Sequence, residues 1–320
     1  MKPSYNNVFG VDVASEKLDI FDAKKSQHRT IDNNVKAIDA WVRGVERRKD
    51  VLVVMEATGG YEQSLVDALH QANIDVAVSN PLQVRSFAKG IGTIEKNDPI
   101  DAAVIARFGE VAQPKLKEKP SGSERQLKAL VHRRDQALAQ CKREHNRKLQ
   151  CREDFTRETI EEAISFYKNQ VKKLDSQIAT VIRQCEQLTA KSDILLSCPG
   201  VGVATVAMLL SELPELGRLS RGQVAKLVGV APIVKDSGKT QGRRSTQAGR
   251  SMVRKVLYMA ALVATKYNPR MKQFYKNLII KGKPFKVAIV AVMRKLLVTL
   301  NVMVRKGEMW ADENTAAPAN

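Results

Sequence analysis

At 320 residues, with 43% hydrophobic side chains, the chain is long enough for two domains and a connector. It has no signal-peptide stretch at its start, no C-x-x-C pair, no metal-ligand spacing among its histidines and no unbroken apolar run of 18 residues, which argues against a secreted disulfide scaffold and a membrane span. The net charge of +19 lies mostly after residue 190, whereas residues 1–120 carry equal numbers of acidic and basic side chains. This asymmetry favours a polyanion bound by the rear half, and nucleic acid over a membrane surface, because the basic segments lack an apolar face rich in Trp or Phe.

The first 112 residues predict strands first and then alternating helices and strands. The predicted strands are residues 8–14, 17–22, 28–31, 51–55 and 75–79. A helix is predicted over residues 33–48, with Ile38, Trp41, Val42 and Val45 on one face, and another after the turn at residues 57–61. This order indicates a mixed sheet flanked by helices.

Two acids occupy unusual places in these strands. Asp12 lies within an apolar strand, and Glu56 ends a fully apolar one. A buried carboxylate needs a partner or a metal. A structural ion pair remains an alternative for either acid.

Two further acids begin the helix predicted over residues 98–108. Asp98 is predicted as the N-cap because Pro99 then takes the first helical position, and Asp101 follows three residues later on the same side. A cap and an acid favoured by the helix dipole would explain this pair without a metal. Taken with Asp12 and Glu56, the four acids instead suggest a site for Mg²⁺ or Mn²⁺, because oxygen ligands without His or Cys suit these ions. Two such ions can clamp a phosphodiester.

Three motifs that carry these acids resemble a known family. Gly10-Val11-Asp12-Val13-Ala14, Met55-Glu56-Ala57-Thr58-Gly59 and Lys96-Asn97-Asp98-Pro99-Ile100-Asp101-Ala102 resemble the DEDD domain of the insertion sequence 110 family of transposases. That domain is similar to the RuvC Holliday-junction resolvase. The resemblance implies an α/β RNase H-like fold, with Asp12, Glu56, Asp98 and Asp101 as the catalytic, metal-binding tetrad. The family usually has Lys-Thr-Asp where this chain has Lys-Asn-Asp, and the acid is kept.

A helical connector is predicted after a linker rich in Pro, Lys and Ser at residues 113–123. One helix is expected over residues 124–150 and a second over residues 157–188. The second has an unbroken heptad seam: Ile160, Ile164, Tyr167, Val171, Leu174, Ile178, Val181, Cys185 and Leu188. The seam either packs on the preceding helix or pairs with another chain. We favour pairing between chains, and thus a homo-oligomer, dimer or tetramer, because the first helix has a weaker apolar stripe.

A Pro-Gly-Val-Gly turn at residues 199–202 lies between two apolar segments. It resembles a helix-hairpin-helix element. Its glycines would let backbone N–H groups approach a phosphate, so Gly200 and Gly202 are candidate nucleic-acid contacts. An ordinary helix-helix turn is the alternative.

The stretch from residue 231 to residue 250 is rich in glycine and basic residues. Loops of this kind surround phosphate. The candidate nucleic-acid-binding side chains here and in the following helix are Lys235, Lys239, Arg243, Arg244, Arg250, Arg254 and Lys255. A Walker A loop is excluded, because Ile233 stands where its first glycine would be.

Residues 195–305 resemble the C-terminal transposase domain of the same family. In that domain a serine in a Ser-Gly pair, after a Gly-x-x-Pro turn, is the nucleophile; Gly229-Val230-Ala231-Pro232 and Ser237-Gly238 match this pattern. The resemblance therefore implies Ser237 as the nucleophile. Ser245, Thr246 and Ser251 are competing hydroxyls without the following glycine, and a plain loop tip is the alternative. Serine needs activation, and no histidine follows Cys151.

The sequence thus predicts a RuvC-like DEDD domain (1–120), a coiled-coil connector (121–190), a mainly α serine-containing domain (191–308) and a disordered tail (309–320). The resemblance implies a DNA transposase or recombinase in the bacterial cytoplasm, associated with the nucleoid and with no membrane partner. Its expected partners are donor and target double-stranded DNA, a structured bridge RNA and further copies of the chain. The alternatives are a site-specific invertase of the pilin-inversion type, a RuvC-like nuclease with an idle serine, and a non-enzymatic nucleic-acid-binding protein.

Overall fold

The computed structural model describes residues 5–46, 50–92, 98–232, 246 and 249–311, without the side chains of Asp98 and Pro99. Contacts divide this part of the chain into two compact units, a front unit that ends at Lys119 and a rear unit that begins at Pro120. Each unit has its own hydrophobic core.

The front unit is built on a five-stranded sheet in the order β3-β2-β1-β4-β5. Its strands are β1 (Asn7–Val13), β2 (Lys17–Asp22), β3 (Gln27–Asp32), β4 (Val51–Glu56) and β5 (Asp75–Ser79). Its helices are α1 (Val35–Glu46), α2 (Gln63–Gln71), α3 (Pro81–Gly90) and α4 (Asp98–Ala112). The first three strands form an antiparallel meander, and β4 and β5 run parallel to β1. This order and these directions are those of an RNase H-like sheet, so the predicted fold is confirmed.

Helices cover both faces of the sheet, which explains why β4 is apolar at every position from Val51 to Met55. One face packs Val11, Val53 and Met55 with α1 and α2. All four predicted apolar positions of α1 are buried there. The other face packs Val8 and Val54 with α3 and α4.

Helix α4 lies directly on β1 because Gly10 has no side chain. A Cβ at Gly10 would overlap the carbonyl oxygen of Ala102 and the backbone nitrogen of Ala106, and would lie 2.9 Å from the Ala106 Cα. Farther along the helix, a Cβ at Gly109 would lie 2.8 Å from the Val8 side chain. Helix α4 therefore runs antiparallel to β1, with its C-terminal part over Val8 and its N-terminal part over Gly10 and beyond.

The described part of the rear unit is helical, which confirms the predicted mainly α class. Its helices are α5 (Gly122–Gln150), α6 (Asp154–Arg183), α7 (Glu186–Leu196), α8 (Val203–Glu212), α9 (Arg221–Val228), α10 (Ser251–Tyr267), α11 (Pro269–Ile280) and α12 (Phe285–Lys306). The predicted connector shares its core, because Leu127, Val131 and Ile178 pack with the helices that follow.

Helices α5 and α6 pack against each other as a hairpin within one chain. An Arg134–Asp175 ion pair and a Lys148–Glu161 ion pair of 2.7 Å join them. Within the chain α5 packs on α6, as the alternative interpretation of the heptad seam predicted. Pairing of the connector with another chain stays a prediction. Only residues 151–153 separate α5 from α6, and so short a turn between two helices makes them antiparallel neighbours. The second helix also ends at Arg183 instead of continuing to residue 188, because the backbone at Cys185 is extended and caps α7.

Helix α12 is a core element of the rear unit. Leu296, Leu297 and Leu300 are fully buried. By length and composition this helix could cross a membrane, a property that the sequence analysis did not identify, and half of its apolar window is buried inside the unit. Burial on this scale is typical of the core helix of a globular unit.

The contact at Gly10 predicts a large loss of stability in Gly10→Ala. The added methyl group has no room without a shift of α4, so we expect a loss of about 2 kcal/mol or more. Gly44→Ala is the matched control, because its Cβ meets no atom within 4 Å and alanine should stabilise helix α1 by about 0.5–1 kcal/mol. Urea unfolding followed by Trp41 fluorescence, in a Trp310→Phe background, would measure both. Equal stability of the two variants would contradict the contact.

Candidate active site

Asp12 and Glu56 lie side by side on neighbouring strands. Val11 of β1 pairs in parallel register with Met55 of β4, and each acid is the next residue of its strand. Neighbouring strands are about 4.8 Å apart, so the two carboxylates start from adjacent backbone positions. Both residues are half-buried. Two acids at one end of parallel strands match the place where open α/β sheets bind ligands.

The first turn of α4 lies over the same end of the sheet. Alternate residues of a strand point to the same face, so Asp12 shares the face of Gly10, on which α4 packs. Because α4 runs antiparallel to β1, the residues that precede Ala102 in the helix lie farther along β1, in the direction of Asp12. Asp101 belongs to that first turn and is half-buried. The fold thus places Asp12 and Glu56 on adjacent strands and directs the first turn of α4, which contains Asp101, toward the same end of the sheet. Helix α4 begins at Asp98.

These acids do not form a closed cluster by themselves. Within the described ranges, no three His, Cys, Asp or Glu side chains are close enough together to hold one metal ion. The carboxylate of Asp98 lies outside the described side chains. The donor set is chemically suited to Mg²⁺ or Mn²⁺, because every candidate ligand is a carboxylate oxygen.

A fifth acid, Asp19, lies beside Asp12 and was not predicted from the sequence. The two residues are directly paired across β1 and β2, so their side chains share one face. The Asp19 carboxylate is buried, accepts a 2.6 Å hydrogen bond from Thr30 and lies 3.3 Å from Lys17 Nζ and 3.2 Å from His28 Nε2. The alternation of side chains along residues 17–22 was the available signal for Asp19, since it places positions 19 and 21 on the same face of the strand. The neighbouring base and hydroxyl compensate the charge of this buried acid.

Glu62 organises the loop that follows Glu56. Its buried carboxylate accepts hydrogen bonds from the Thr58 N–H (3.2 Å), the Thr58 hydroxyl (3.0 Å) and the Gly60 N–H (2.9 Å). Gly59 and Gly60 have positive φ values of 79° and 121°, which glycine adopts without strain. Burial alone would raise the pKa of Glu62, but these hydrogen bonds outweigh it and hold the pKa below its usual value. The loop after the catalytic candidate is therefore fixed by a residue that sequence reasoning missed.

Most of the predicted serine segment lies outside the described residues. This holds for Ser237 and for four predicted phosphate-binding side chains, Lys235, Lys239, Arg243 and Arg244. The described ends of the segment meet each other. Gly249 lies against the end of α9, where a Cβ would be 2.7 Å from the Gly229 Cα, and the Arg250 N–H donates to the Leu227 carbonyl (3.1 Å). The described residues on either side of this segment thus lie next to each other.

Arg250 anchors that point. Its guanidinium binds both carboxylate oxygens of Glu215, at 2.6 and 2.7 Å, and the Glu212 carbonyl at 2.7 Å. A bidentate pair of this kind fixes geometry as well as charge. The predicted phosphate contact is thus engaged within the protein. Lys255 also has a protein partner, Asp135 at 2.8 Å, and Arg254 is half-buried on α10.

The Pro-Gly turn packs on α10. Gly200 has φ +97°, and a Cβ there would lie 2.7 Å from the Ala264 Cα. The fully buried side chain of Asn268 donates to the Pro199 carbonyl at 3.3 Å. Close helix packing therefore explains Gly200. Gly202, in contrast, would have open space around a Cβ.

Two family models match the chain. Residues 9–151 match a DEDD transposase model of the IS110 type, described as "Transposase". Residues 192–276 match a model described as "Transposase IS116/IS110/IS902 family". The two matches cover the segments that contain the four acids and the serine.

Similar proteins carry related names. A "Pilin gene-inverting protein" of Moraxella bovis is 28% identical over 308 residues, 93% of this chain and 95% of that protein. An "Insertion element IS900 uncharacterized 42 kDa protein" of Mycobacterium paratuberculosis is 28% identical over 157 residues, 47% of this chain and 39% of that protein. Among solved structures, T. thermophilus RuvC in complex with a Holliday junction substrate matches 35% of this chain and 99% of its own, with 16% identity and a TM-score of 0.27.

Glu62→Gln should change how stability depends on pH. Because the folded-state pKa of Glu62 lies below its usual 4.5, the ionised carboxylate stabilises the front unit above that value, and this stabilisation is lost as pH falls through the folded-state pKa. The variant should lose about 1–3 kcal/mol at pH 7, since a buried acceptor facing three donors is replaced by an amide. Its stability should then fall less steeply than the wild type between about pH 5 and 3.

Unfolding in urea at several pH values would measure both effects. The control is Glu110→Gln, which removes an exposed ion pair with Arg107 (2.9 Å) and should cost less than about 1 kcal/mol. Parallel stability curves for the wild type and Glu62→Gln would show that the loop does not depend on this carboxylate.

Proposed function

Because this chain belongs to the IS110 family of transposases, we propose that it cuts and rejoins DNA strands with Ser237 as nucleophile and with four acids of the front unit as its metal ligands. It is a DNA recombinase with an RNase H-like front unit. The proposed ligands are Asp12, Glu56, Asp98 and Asp101. The observation that supports the proposal most directly is the packing of α4 on Gly10, which carries its first turn to the strand ends that bear Asp12 and Glu56.

The acids of this site would bind Mg²⁺ or Mn²⁺ through carboxylate oxygens alone. The ion, when bound, neutralises charge that develops on the reacting phosphate and on the leaving oxygen. Asp19 would remain an outer residue of the site, since Lys17 and Thr30 already engage its carboxylate. Glu62 would position Glu56 by holding the Thr58–Gly60 backbone.

The proposed step is an exchange of one phosphodiester bond for another. The Ser237 hydroxyl loses its proton and attacks phosphorus, the new bond joins the serine oxygen to the phosphate, and the bond to one deoxyribose oxygen breaks. That oxygen leaves as a hydroxyl. Because a phosphodiester is kept, a free strand hydroxyl can later reverse the step on a new partner without ATP. No histidine follows Cys151, so a Ser-His dyad within the serine-containing domain is unavailable, and the proton would pass to water, to a carboxylate of the metal site or to a DNA phosphate.

We propose further that the acids of one subunit serve the serine of another. The described part of the connector is a long helical hairpin whose seam is already occupied within the chain. Contacts to another chain would therefore use its outer surface, where Leu149, Phe155 and Phe166 are exposed. These three exposed apolar side chains are the candidate contacts for such an association.

Double-stranded donor and target DNA are the proposed substrates, with a structured bridge RNA as guide. The strongly basic composition of the rear half supports polyanion binding. Base pairing by a guide would leave the protein to bind shape and backbone. Sequencing of RNA that co-purifies from the native host tests this; identical behaviour of the protein after nuclease treatment would argue against an RNA partner.

DNA inversion is the second candidate function. It is favoured by the pilin gene-inverting relative, which matches over nearly the full length of both chains. Inversion and transposition share the same strand chemistry and differ in the DNA that flanks the gene. An insertion element around the gene would indicate transposition, and an invertible segment would indicate inversion.

Ser237→Ala should abolish a covalent protein–DNA adduct. Labelled element-end DNA that carries a nick beside the cleavage position would trap the wild-type adduct, which a denaturing gel detects. Ser251→Ala should keep the adduct, since this exposed hydroxyl begins α10 and lacks the following glycine. An adduct that persists in Ser237→Ala would exclude the serine, and cleavage without any wild-type adduct would favour a RuvC-like nuclease.

Mixing Asp12→Asn subunits with Ser237→Ala subunits tests the shared site. If each site combines acids and serine from two chains, mixed dimers contain one intact site, and about a quarter of the wild-type activity should return. No recovery from co-expressed variants, each folded like the wild type, would place acids and serine of one chain in the same site.

A further inference from the structure

The turn between α11 and α12 exposes nine consecutive residues. This α11–α12 tip comprises residues 279–287, Ile-Ile-Lys-Gly-Lys-Pro-Phe-Lys-Val, and every one of them is exposed. Ile280 is 82% exposed, and Phe285 and Val287 are about half exposed. The tip lies outside every site described above. Four large apolar side chains on a solvent-facing turn are not needed to connect two helices.

The tip has a defined conformation. Gly282, with φ +70°, ends α11, and its N–H donates to the Ile279 carbonyl at 2.8 Å, while the Lys283 N–H donates to the Leu278 carbonyl at 3.1 Å. These two bonds form a Schellman motif. Pro284 then leads directly into α12, where Ala288 and Ile289 are buried. The apolar side chains are therefore held outward on a fixed turn between two anchored helices.

The charge along the tip and along the chain that flanks it is of one sign. Lys281, Lys283 and Lys286 lie within it and are exposed, and no Asp or Glu occurs anywhere in residues 237–307. A second copy of this surface would bring like charges together, so self-association through the tip is unfavourable. The charge complement of the tip is a polyanion that also offers apolar surface.

We propose that the α11–α12 tip binds a nucleic-acid strand with unstacked bases. Intact B-form DNA presents phosphates on its outside and hides the flat faces of its bases, so it would satisfy the lysines and leave Ile280 and Phe285 in water. Where bases are unpaired, an aromatic ring stacks on a base face and an aliphatic side chain wedges beside it. The lysines then contact the flanking phosphates. The inference rests on the proposed DNA-directed function and adds a site that recognises opened strands.

Binding to two DNAs tests the proposal with the full chain carrying Ser237→Ala, so that strand cutting does not enter the readout. Fluorescence anisotropy would compare a labelled duplex with the same duplex containing a short unpaired bubble. Adding Ile280→Ser and Phe285→Ala should weaken bubble binding at least ~10-fold and leave duplex binding unchanged. The double variant Lys281→Gln, Lys283→Gln should weaken binding to both DNAs. It should also lower the salt dependence of the affinity by an amount that corresponds to about two phosphate contacts.

The matched control is Val35→Ser, an exposed apolar residue in the front unit (69% exposed), which should change neither affinity. Unchanged thermal unfolding would show that the tip variants fold. If the double variant does not fold, the single variants Ile280→Ser and Phe285→Ala replace it in the binding measurement. Unchanged bubble binding, or equal loss on both DNAs, would overturn the proposal. Binding of each variant to anionic lipid vesicles would be measured as well. If the Ile280→Ser, Phe285→Ala variant lost vesicle binding but kept bubble binding, the proposal would also be overturned. Failure of the serine adduct alone would leave the tip result standing.

Discussion

The front unit depends on one close approach, that of helix α4 to strand β1. Gly10 supplies no side chain, so the backbone of Ala102 and Ala106 rests on the sheet itself. This contact fixes the distance between α4 and the sheet and the direction of the helix axis. It therefore also fixes the position of the helical turn that contains Asp98 and Asp101. The close packing at Gly10 is thus what directs the beginning of α4, almost 90 residues farther along the chain, toward the end of β1 that carries Asp12.

The two units differ in net charge, because residues 1–120 carry equal numbers of acidic and basic side chains and most of the net charge of +19 lies after residue 190. In the front unit, the buried acids Asp19 and Glu62 have donors of their own, Thr30 and Lys17 for Asp19 and the Thr58–Gly60 backbone for Glu62. In the rear unit, Glu215 binds Arg250, which follows the serine segment in the chain.

Much of the front unit was readable from the sequence, because its signals are local. The fully apolar β4, the amphipathic α1 and the acids at strand ends were all predicted. The sequence did not reveal the role of Gly10, the pairing of Asp19 with Asp12, or the loop held by Glu62, since each depends on contacts between elements. The same limit explains the rear unit. The heptad seam was read correctly as a packing surface, but its partner, α5, depends on the short turn at residues 151–153, and the Gly200 signal marks packing on Ala264.

The central claim is that the first turn of α4 and the ends of β1 and β4 hold one metal site. Its most direct test is a crystal of the full chain grown with Mn²⁺ and measured at a wavelength where manganese scatters anomalously. The account predicts an anomalous peak within about 2.0–2.4 Å of oxygens from Asp12, Glu56 and the acids of α4. A structure in which these carboxylates are well ordered but lie apart, with the manganese bound elsewhere, would contradict it.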